Sequence, residues 1–366
     1  MRAEDLAAGG PGPGAGILDD PARLAVADPS GMLGHVARLG DQMRQGYALG
    51  RSVGDLPSGE GVRSIVVCGM GGSGLAGDVL RALYAERSPV PIVVVKGAAL
   101  PEFCGRDSVV FAVSFSGNTD ETITTYAEAV ARGCRVVAVS AGGELAMRSH
   151  QDRVPHVRIP NDVPVPRAAV GYLAAVPIGV LEVAGLIPSV GEAVASAARL
   201  VDGMAAGLGP ARATAENPAK DLASWVDGRT VVIWGSEGIG EAAALRWKNQ
   251  VNENAKLPAF AATLPELSHN DVEGWSAGTG RTFALLVLDH PGESHPMAER
   301  ATATIDAVAG SGLEVRRVHA AGAGPLEWLS SLVLMADFTS TYLAVIRGVD
   351  PTPIPVLTGL KRRLRG

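Results

Sequence analysis

The chain has 366 residues, 47% hydrophobic and 19% charged, with a formal net charge of −6. That length exceeds what one hydrophobic core usually serves, so two folded domains are expected, and the composition excludes a disordered chain. No basic stretch is long enough to suggest nucleic acid, and no apolar run approaches the roughly 18 residues of a membrane helix. The acidic, Gly/Pro-rich Met1–Asp20 lacks the basic start and apolar centre of a secretory leader. A cytoplasmic enzyme or binding protein is the expectation that remains. Cys68, Cys104 and Cys134 show neither CxxC nor zinc spacing; Cys68 and Cys134 sit in or beside apolar runs, so buried free thiols in a reducing compartment are expected.

In chain order, residues 1–60 read as a partly helical extension. Gly9–Gly16 reads as flexible, while Met32, Leu33, Val36, Leu39 and Met43 recur at helical spacing and predict a helix packed on a domain. From Ser64 an α/β rhythm begins: strands at Ser64–Cys68, Ile92–Val95, Ser108–Val113 and Arg135–Val139, with helices over Leu75–Tyr84 and about Asp120–Arg132. Val154–Ile159 adds a short strand. A helical bridge, Val170–Gly207, leads to a second round: strand Thr230–Trp234, a Gly-rich turn, a helix from Glu241 towards Asn254, strand Phe283–Leu288, a helix around Met297–Ala309, strand Val315–Val318 and a helix through Trp328–Arg347. Strands alternating with helices of this length imply parallel sheets covered on both faces. Each half repeats strand, glycine turn, helix and strand, which reads as duplication of one doubly wound unit, with boundaries at 1–60, 61–200 and 201–366.

Two loops carry anion-binding chemistry. In Cys68-Gly69-Met70-Gly71-Gly72-Ser73-Gly74 a strand delivers glycines to a helix start, where backbone N–H groups and the helix dipole can approach an anion. The spacing also satisfies G-x-G-x-x-G, but the second strand ends at Val95-Lys96-Gly97 without the acid a dinucleotide ribose wants. Ser114-Phe115-Ser116-Gly117-Asn118-Thr119 follows the third strand and gathers hydroxyl and amide donors at the carboxyl edge of the sheet, which suits a phosphate monoester. A cap for the helix at Asp120 is the bland alternative and is compatible with it. A nucleophilic serine is disfavoured, because G-x-S-x-G is absent.

A third constellation is Asn252-Glu253-Asn254-Ala255-Lys256 followed by Pro265-Glu266-Leu267-Ser268-His269-Asn270. A carboxylate and an imidazole at one site can divide acid–base work, although as isolated letters a solvated glutamate and a structural histidine are commoner.

Together these strings resemble the bifunctional phosphoglucose/phosphomannose isomerases, built from two tandem sugar-isomerase (SIS) domains. The resemblance implies an α/β fold of two tandem SIS domains, each a doubly wound, mostly parallel sheet flanked by helices, with the N-terminal helical extension added. It implies that Gly72, Ser73, Ser114, Ser116 and Thr119 hold the phosphate. The second half has its glycine turn but runs into Asp289-His290-Pro291 instead of a serine loop, so one phosphate site per chain follows. The resemblance further gives Glu253 as the base between C1 and C2, and His269, with Lys361, as the group that opens the sugar ring. By the same resemblance Arg167, after a proline-stiffened segment, steadies the enediolate, and Thr352 supplies a pocket hydroxyl. The Lys361–Arg365 cluster also reads as an ordinary solvated helix end.

The implied reaction interconverts glucose 6-phosphate and mannose 6-phosphate with fructose 6-phosphate, without metal or other cofactor. His290, Glu293 and His295 lack a third ligand at suitable spacing and read as loop residues. In related enzymes the histidine reaches the neighbouring subunit's site, so a homodimer with shared sites is implied. Two alternatives stay open: a non-catalytic SIS module that senses a sugar phosphate, and an isomerase restricted to mannose 6-phosphate or another phosphosugar.

Overall fold

The structure, a computed structural model, describes residues 15–364 apart from 55, 57 and 277. Most of the stretch Gly9–Gly16 expected to be flexible, and Arg365 of the basic tail, lie outside the described residues. The described residues of the extension form four helices, α1 (Ala15–Leu18), α2 (Pro21–Ala27), α3 (Met32–Ala37) and α4 (Leu39–Ser52). The starts of α2 and α3 are locally encoded. Asp20 accepts from the Ala22 and Arg23 N–H groups at 3.0 and 3.2 Å, with Pro21 opening α2. The Asp28 carboxylate likewise takes the Met32 and Leu33 N–H groups at 2.8 and 2.9 Å.

The first sheet contains β1 (Ser64–Cys68), β2 (Ile92–Val95), β3 (Ser108–Val113), β4 (Arg135–Ser140) and β5 (His156–Arg158), interleaved with α5 (Gly71–Tyr84), α6 (Asp120–Ala131) and α7 (Gly143–Gln151). Its order is β2-β1-β3-β4-β5, with every pair parallel. The bridge comprises α8 (Val170–Val183) and α9 (Gly191–Leu208), and α10 (Pro218–Val226) follows it. The second sheet contains β6 (Thr230–Ser236), β7 (Ala259–Leu264), β8 (Phe283–Asp289) and β9 (Glu314–His319), with α11 (Ile239–Asn254) after β6 and α12 (His295–Val308) after β8. It is also parallel, in the order β7-β6-β8-β9, so the duplicated winding expected from the glycine turns is present. Helices α13 (Pro325–Ile346) and α14 (Pro355–Leu364) close the chain.

Three elements are additions to the sequence reading: α7, α10 and β7. β7 is an edge strand of sequence Ala-Phe-Ala-Ala-Thr-Leu, with its middle exposed or half-exposed, so neither β-propensity nor alternation marks it. Only pairing with β6 makes it a strand. The expectation about apolar runs also needs correction. Pro166–Val183 and Pro325–Ile346 are long and apolar enough to cross a membrane by composition, yet both are mostly buried inside this protein. They are core helices.

Alternation along the strands divides the apolar side chains between faces. Ile65, Val67, Phe111 and Val137 of the first sheet, and Val231, Ile233, Leu286 and Leu288 of the second, enter one central core. Val66, Val110 and Ala138 pack outward beneath Ile123 and Tyr126 of α6, and Val232, Leu285 and Val287 pack outward beneath Ala301 and Val308 of α12. The central core is filled by helices, among them α4, α5, α8, α9, α11 and α13, so the two sheets share one hydrophobic interior.

The N-terminal extension is built into that interior. An ideal Cβ on Gly46 of α4 would fall 2.9 Å from the Tyr172 backbone, and one on Gly50 would fall 2.2 Å from the Val176 carbonyl oxygen. On the facing helix α8, a Cβ on Gly179 would meet the Tyr47 carbonyl at 2.4 Å. The two backbones therefore touch, and the side-chain hydrogen bonds of α4 reach the turn that precedes α8.

Candidate active site

That turn carries Arg167. Residues Pro166–Ala169 form a 3-10 turn, opened by proline and continuous with α8. Gln42 of α4, itself buried, donates to the Ala168 carbonyl at 2.7 Å and accepts from the Gly171 N–H at 3.1 Å. On its other side the turn rests on the first glycine loop. An ideal Cβ on Gly72 would sit 3.3 Å from both the N and Cα of Arg167. Gly72 thus joins the expected phosphate loop to the expected catalytic arginine by contact.

The Arg167 side chain is only 2% exposed, and all three guanidinium nitrogens are engaged. Nε donates to Asn254 Oδ1 at 2.7 Å, Nη1 to Glu253 Oε2 at 3.2 Å, and Nη2 to the carbonyls of Pro351 and Thr352 at 2.6 and 2.8 Å. Burial lowers its pKa from the ordinary arginine value, and the Glu253 charge opposes that fall. Glu253 stands at the C-terminal end of α11, with about a quarter of its side chain exposed. One carboxylate oxygen is therefore held by a single N–H of a guanidinium whose other nitrogens are fixed elsewhere, while the carboxylate keeps access to the exterior.

Lys256 completes this end of the helix. At φ +55° it sits in the left-handed position that often follows a helix, and its Nζ donates to the carbonyls of Glu253, Asn254 and Pro351 at 2.7, 3.2 and 3.0 Å. Burial, reinforced by the Arg167 charge, lowers its pKa to about 8. Together with Arg167 it ties the Pro351–Thr352 segment to the end of α11. Thr352 is buried, its N–H donates to Asp350 Oδ1 at 2.9 Å, and its hydroxyl oxygen has no hydrogen-bond partner.

The serine loop lies at the carboxyl edge of β3, beside the start of α5. The Ser73 hydroxyl accepts from the Phe115 N–H at 3.1 Å, lashing the two loops together. Ser114 and Thr119 hydroxyls are 2.9 Å apart, and Ser114 Oγ also accepts from the Gly117 N–H at 3.1 Å. Ser116 is exposed and takes the Asn118 N–H at 3.2 Å. Thr119 occupies the cap position of α6 but makes no side-chain cap bond, so its hydroxyl serves the loop rather than the helix. Gly117 adopts φ +68°, and a Cβ there would strike the Gly142 carbonyl at 1.8 Å.

The equivalent edge of the second sheet is built differently. There Ser236 donates to Glu293 Oε1 at 2.7 Å, and the His290 ring stacks on Trp328 with centroids 5.6 Å apart. His290 and Glu293, expected as ordinary loop residues, have side chains only 8% and 9% exposed. Burial raises the Glu293 pKa and lowers that of His290. This edge therefore carries a carboxyl group and a stacked imidazole in place of a serine loop.

The structure thus brings Arg167, Glu253, Gly72 and Thr352 together, and gathers Ser73, Ser114, Ser116 and Thr119 in and beside the adjoining loop. His269 and Lys361 are not part of this cluster. His269, itself exposed, ends a 3-10 turn after β7, and Lys361 lies on the exposed helix α14; among the described residues no hydrogen bond or ion pair joins either to Arg167 or Glu253. Asn254, Lys256 and Gln42 are additions. The first two stand in the Asn252–Lys256 string, whereas nothing local marks Gln42, whose partners are more than 120 residues away.

Two doubly wound sheets sharing a core, with a serine-glycine loop on the first, define a tandem sugar-isomerase protein. Residues 61–175 match the SIS domain family, and residues 215–364 match the bacterial phospho-glucose isomerase C-terminal SIS domain. The chain is 31% identical over 337 residues to a bifunctional phosphoglucose/phosphomannose isomerase of Caldicellulosiruptor bescii, covering 91% of this chain and 98% of that one. It is 30% identical to the Aquifex aeolicus protein of the same name, covering 83% and 91% of the two chains. The chain belongs to the bifunctional phosphoglucose/phosphomannose isomerase family. Among solved structures, a hypothetical protein of Thermus thermophilus superposes with a TM-score of 0.73 at 16% identity, covering 94% of this chain and 93% of that one. A glucose-6-phosphate isomerase like protein of the same organism gives 0.59 at 22% identity, covering 93% and 99%. These two likenesses concern the fold.

Proposed function

We propose that the protein interconverts glucose 6-phosphate and mannose 6-phosphate with fructose 6-phosphate through a cis-enediol, with Glu253 as the base. The observation that carries this reading is the Arg167 guanidinium, whose Nη1 holds the Glu253 carboxylate at 3.2 Å while the arginine's own backbone rests on Gly72 of the phosphate loop. One rigid turn thereby couples the non-reacting phosphate to the reacting carbons.

In this mechanism the hydroxyls of Ser73, Ser114, Ser116 and Thr119, with the start of α5, hold the phosphate. Glu253 removes the proton from C2 of the opened aldose, and the same carboxylic acid returns it to C1 of the enediol. Proton exchange between O1 and O2 completes the ketose. The positive guanidinium of Arg167 stabilises charge on the enediolate oxygens as it forms. The unpartnered Thr352 hydroxyl suits a sugar hydroxyl. Rotation of the enediol about its C2–C3 bond presents either face of C2 to one carboxylate, which accommodates glucose and mannose configurations.

Ring opening needs a second proton carrier. We assign it to His269, assisted by Lys361, of a second copy of the chain, making the enzyme a homodimer with shared sites. The exposure of His269 favours this, as does α14, where Val356, Leu357, Leu360 and Leu364 all lie exposed. We place the enzyme in the cytoplasm, within glycolytic sugar-phosphate metabolism, acting without metal.

A coupled assay of the purified protein with both aldose phosphates, repeated in EDTA, tests the reading. Turnover of both sugars with undiminished rate in EDTA is expected. No turnover of either would leave a sugar-phosphate sensor, turnover of one would narrow the specificity, and loss in EDTA would overturn the metal-free chemistry. Mixing inactive Glu253→Gln with inactive His269→Ala should restore activity; no recovery would remove the shared site.

A further inference from the structure

Behind Arg167 lies a polar assembly that the proposed reaction does not use directly. Arg246, in the middle of α11, and Asp337, on α13, are 2% and 3% exposed. They form a two-pronged ion pair, Nε to Oδ1 at 2.8 Å and Nη2 to Oδ2 at 2.7 Å. The same Nη2 donates to the backbone carbonyl of Arg167 at 2.9 Å. One helical turn beyond Asp337, Ser340 accepts from Asn254 Nδ2 at 3.0 Å, and the Asn254 Oδ1 is the atom that holds Arg167 Nε. Asn254 and Ser340 are both fully buried.

Two residues on one face of α13 therefore each hold one residue of α11. Those two, about two helical turns apart, grip the two ends of Arg167: Arg246 its carbonyl, Asn254 its side-chain Nε–H. Dedicated neutral packing is the usual way to fix two core helices, and a buried ion pair costs desolvation without reliably adding stability. What this pair does that leucines cannot is to present an N–H to the Arg167 carbonyl, at 2.9 Å. We infer that Arg246 and Asp337, with the Asn254–Ser340 bond, are positioning residues that set the orientation of the Arg167 guanidinium relative to Glu253. The inference rests on the proposed catalytic role of Arg167.

The test replaces both charges, since removing one alone leaves the other buried and unpaired and endangers folding. Arg246→Met/Asp337→Leu keeps the volume apolar and filled but withdraws the N–H from the Arg167 carbonyl. The expected result is a folded protein in which kcat falls on the order of ten- to a hundredfold, the scale of a misplaced catalytic group. KM should change less than about threefold, because the serine loop is untouched. Introduced into Arg167→Lys, the same pair should add less than about threefold further loss, because its effect passes through the residue already removed. Unchanged kcat, or losses that multiply in full, would overturn the inference. If the double variant does not fold, Arg246→Lys keeps a charge for Asp337 but loses the fork, and the same comparison applies.

A readout independent of turnover separates this inference from the proposed function. The Arg167 Nε–H resonance, assigned by its absence in Arg167→Lys, should exchange slowly with solvent in the intact protein. It should exchange at least about tenfold faster in the altered one, as protection follows local opening. Unchanged exchange rejects the positioning role even if both sugars are isomerised. Faster exchange in a protein that isomerises neither sugar supports the positioning role while rejecting the proposed reaction.

Discussion

Arg167 and Glu253 stand 86 positions apart in the chain, and their side chains meet at 3.2 Å between Nη1 and Oε2. The arginine comes from the turn that ends the first sheet's territory, and the glutamate from the end of the helix after the second sheet's glycine turn. Neither sheet alone builds the pair. Contact between the two halves is thus a requirement of the proposed chemistry.

Glu253→Gln keeps the size of the side chain and a hydrogen-bond acceptor for Arg167 while withdrawing the base. Activity on both hexose 6-phosphates should fall by about 10²–10⁴, the usual contribution of a general base. KM should move little, because the phosphate loop is unchanged. Steady-state assays of both substrates check this, and a fully active variant would remove Glu253 from the role.

The serine loop separates binding from folding. Ser116 is exposed and its hydroxyl takes the Asn118 N–H, whereas Ser114 is buried and holds Gly117 and Thr119. Ser116→Ala should raise KM roughly tenfold, the scale of a lost hydrogen bond to a charged group, and weaken inhibition by inorganic phosphate, with the melting temperature unchanged. Ser114→Ala should do both and also lower the melting temperature. Equal thermal effects would contradict the assigned division.

Lys256 makes a pH prediction whose sign follows from its lowered pKa, about 8 against an ordinary 10.5. Below pH 8 both states carry the proton, and the native state bears the full cost of holding a partly buried charge beside Arg167. Between about 8 and 10.5 the native side chain releases its proton while the unfolded one keeps it. The unfolded state then binds more protons, so this group's contribution to stability rises with pH across that window. Buried thiols act oppositely: Cys68 and Cys104 are pushed up to about 12 and 11, so alkaline pH favours their unfolded, ionised forms. The comparison must therefore be differential. Urea midpoints from pH 7 to 10 should rise less, or fall more steeply, in Lys256→Met than in the parent; parallel curves would contradict the shift.

The α4–α8 contact predicts a thermal effect far from the loops. In Gly50→Ala the new methyl would fall 2.2 Å from the Val176 carbonyl oxygen, a backbone atom that cannot swing aside. Separation of the helices should cost about 1–3 kcal/mol, read as a lower melting temperature. Gln42→Ala on the same helix should lower kcat as well, since Gln42 steadies the turn that bears Arg167. Calorimetry with assays on the two variants tests both statements.

By itself the sequence determined the repeated winding, because hydrophobic runs of strand length and glycines before helices are local signals of local constraints. It also marked the loop serines, Glu253 and Arg167, whose neighbours in the chain form recognisable strings. β7 escaped, since alanine-rich edge strands acquire their form only from a neighbour. So did the shared interior of the two sheets, and with it the docking of α4 on α8. Gln42, Arg246 and Asp337 escaped for the same reason. Their partners are distant in the chain, and a buried polar group becomes legible only once folding removes water and shows what replaces it. The tertiary structure also decided that His269 and Lys361 stand apart from Glu253 within one chain. The order of residues gives chemistry; folding alone gives the distance between them.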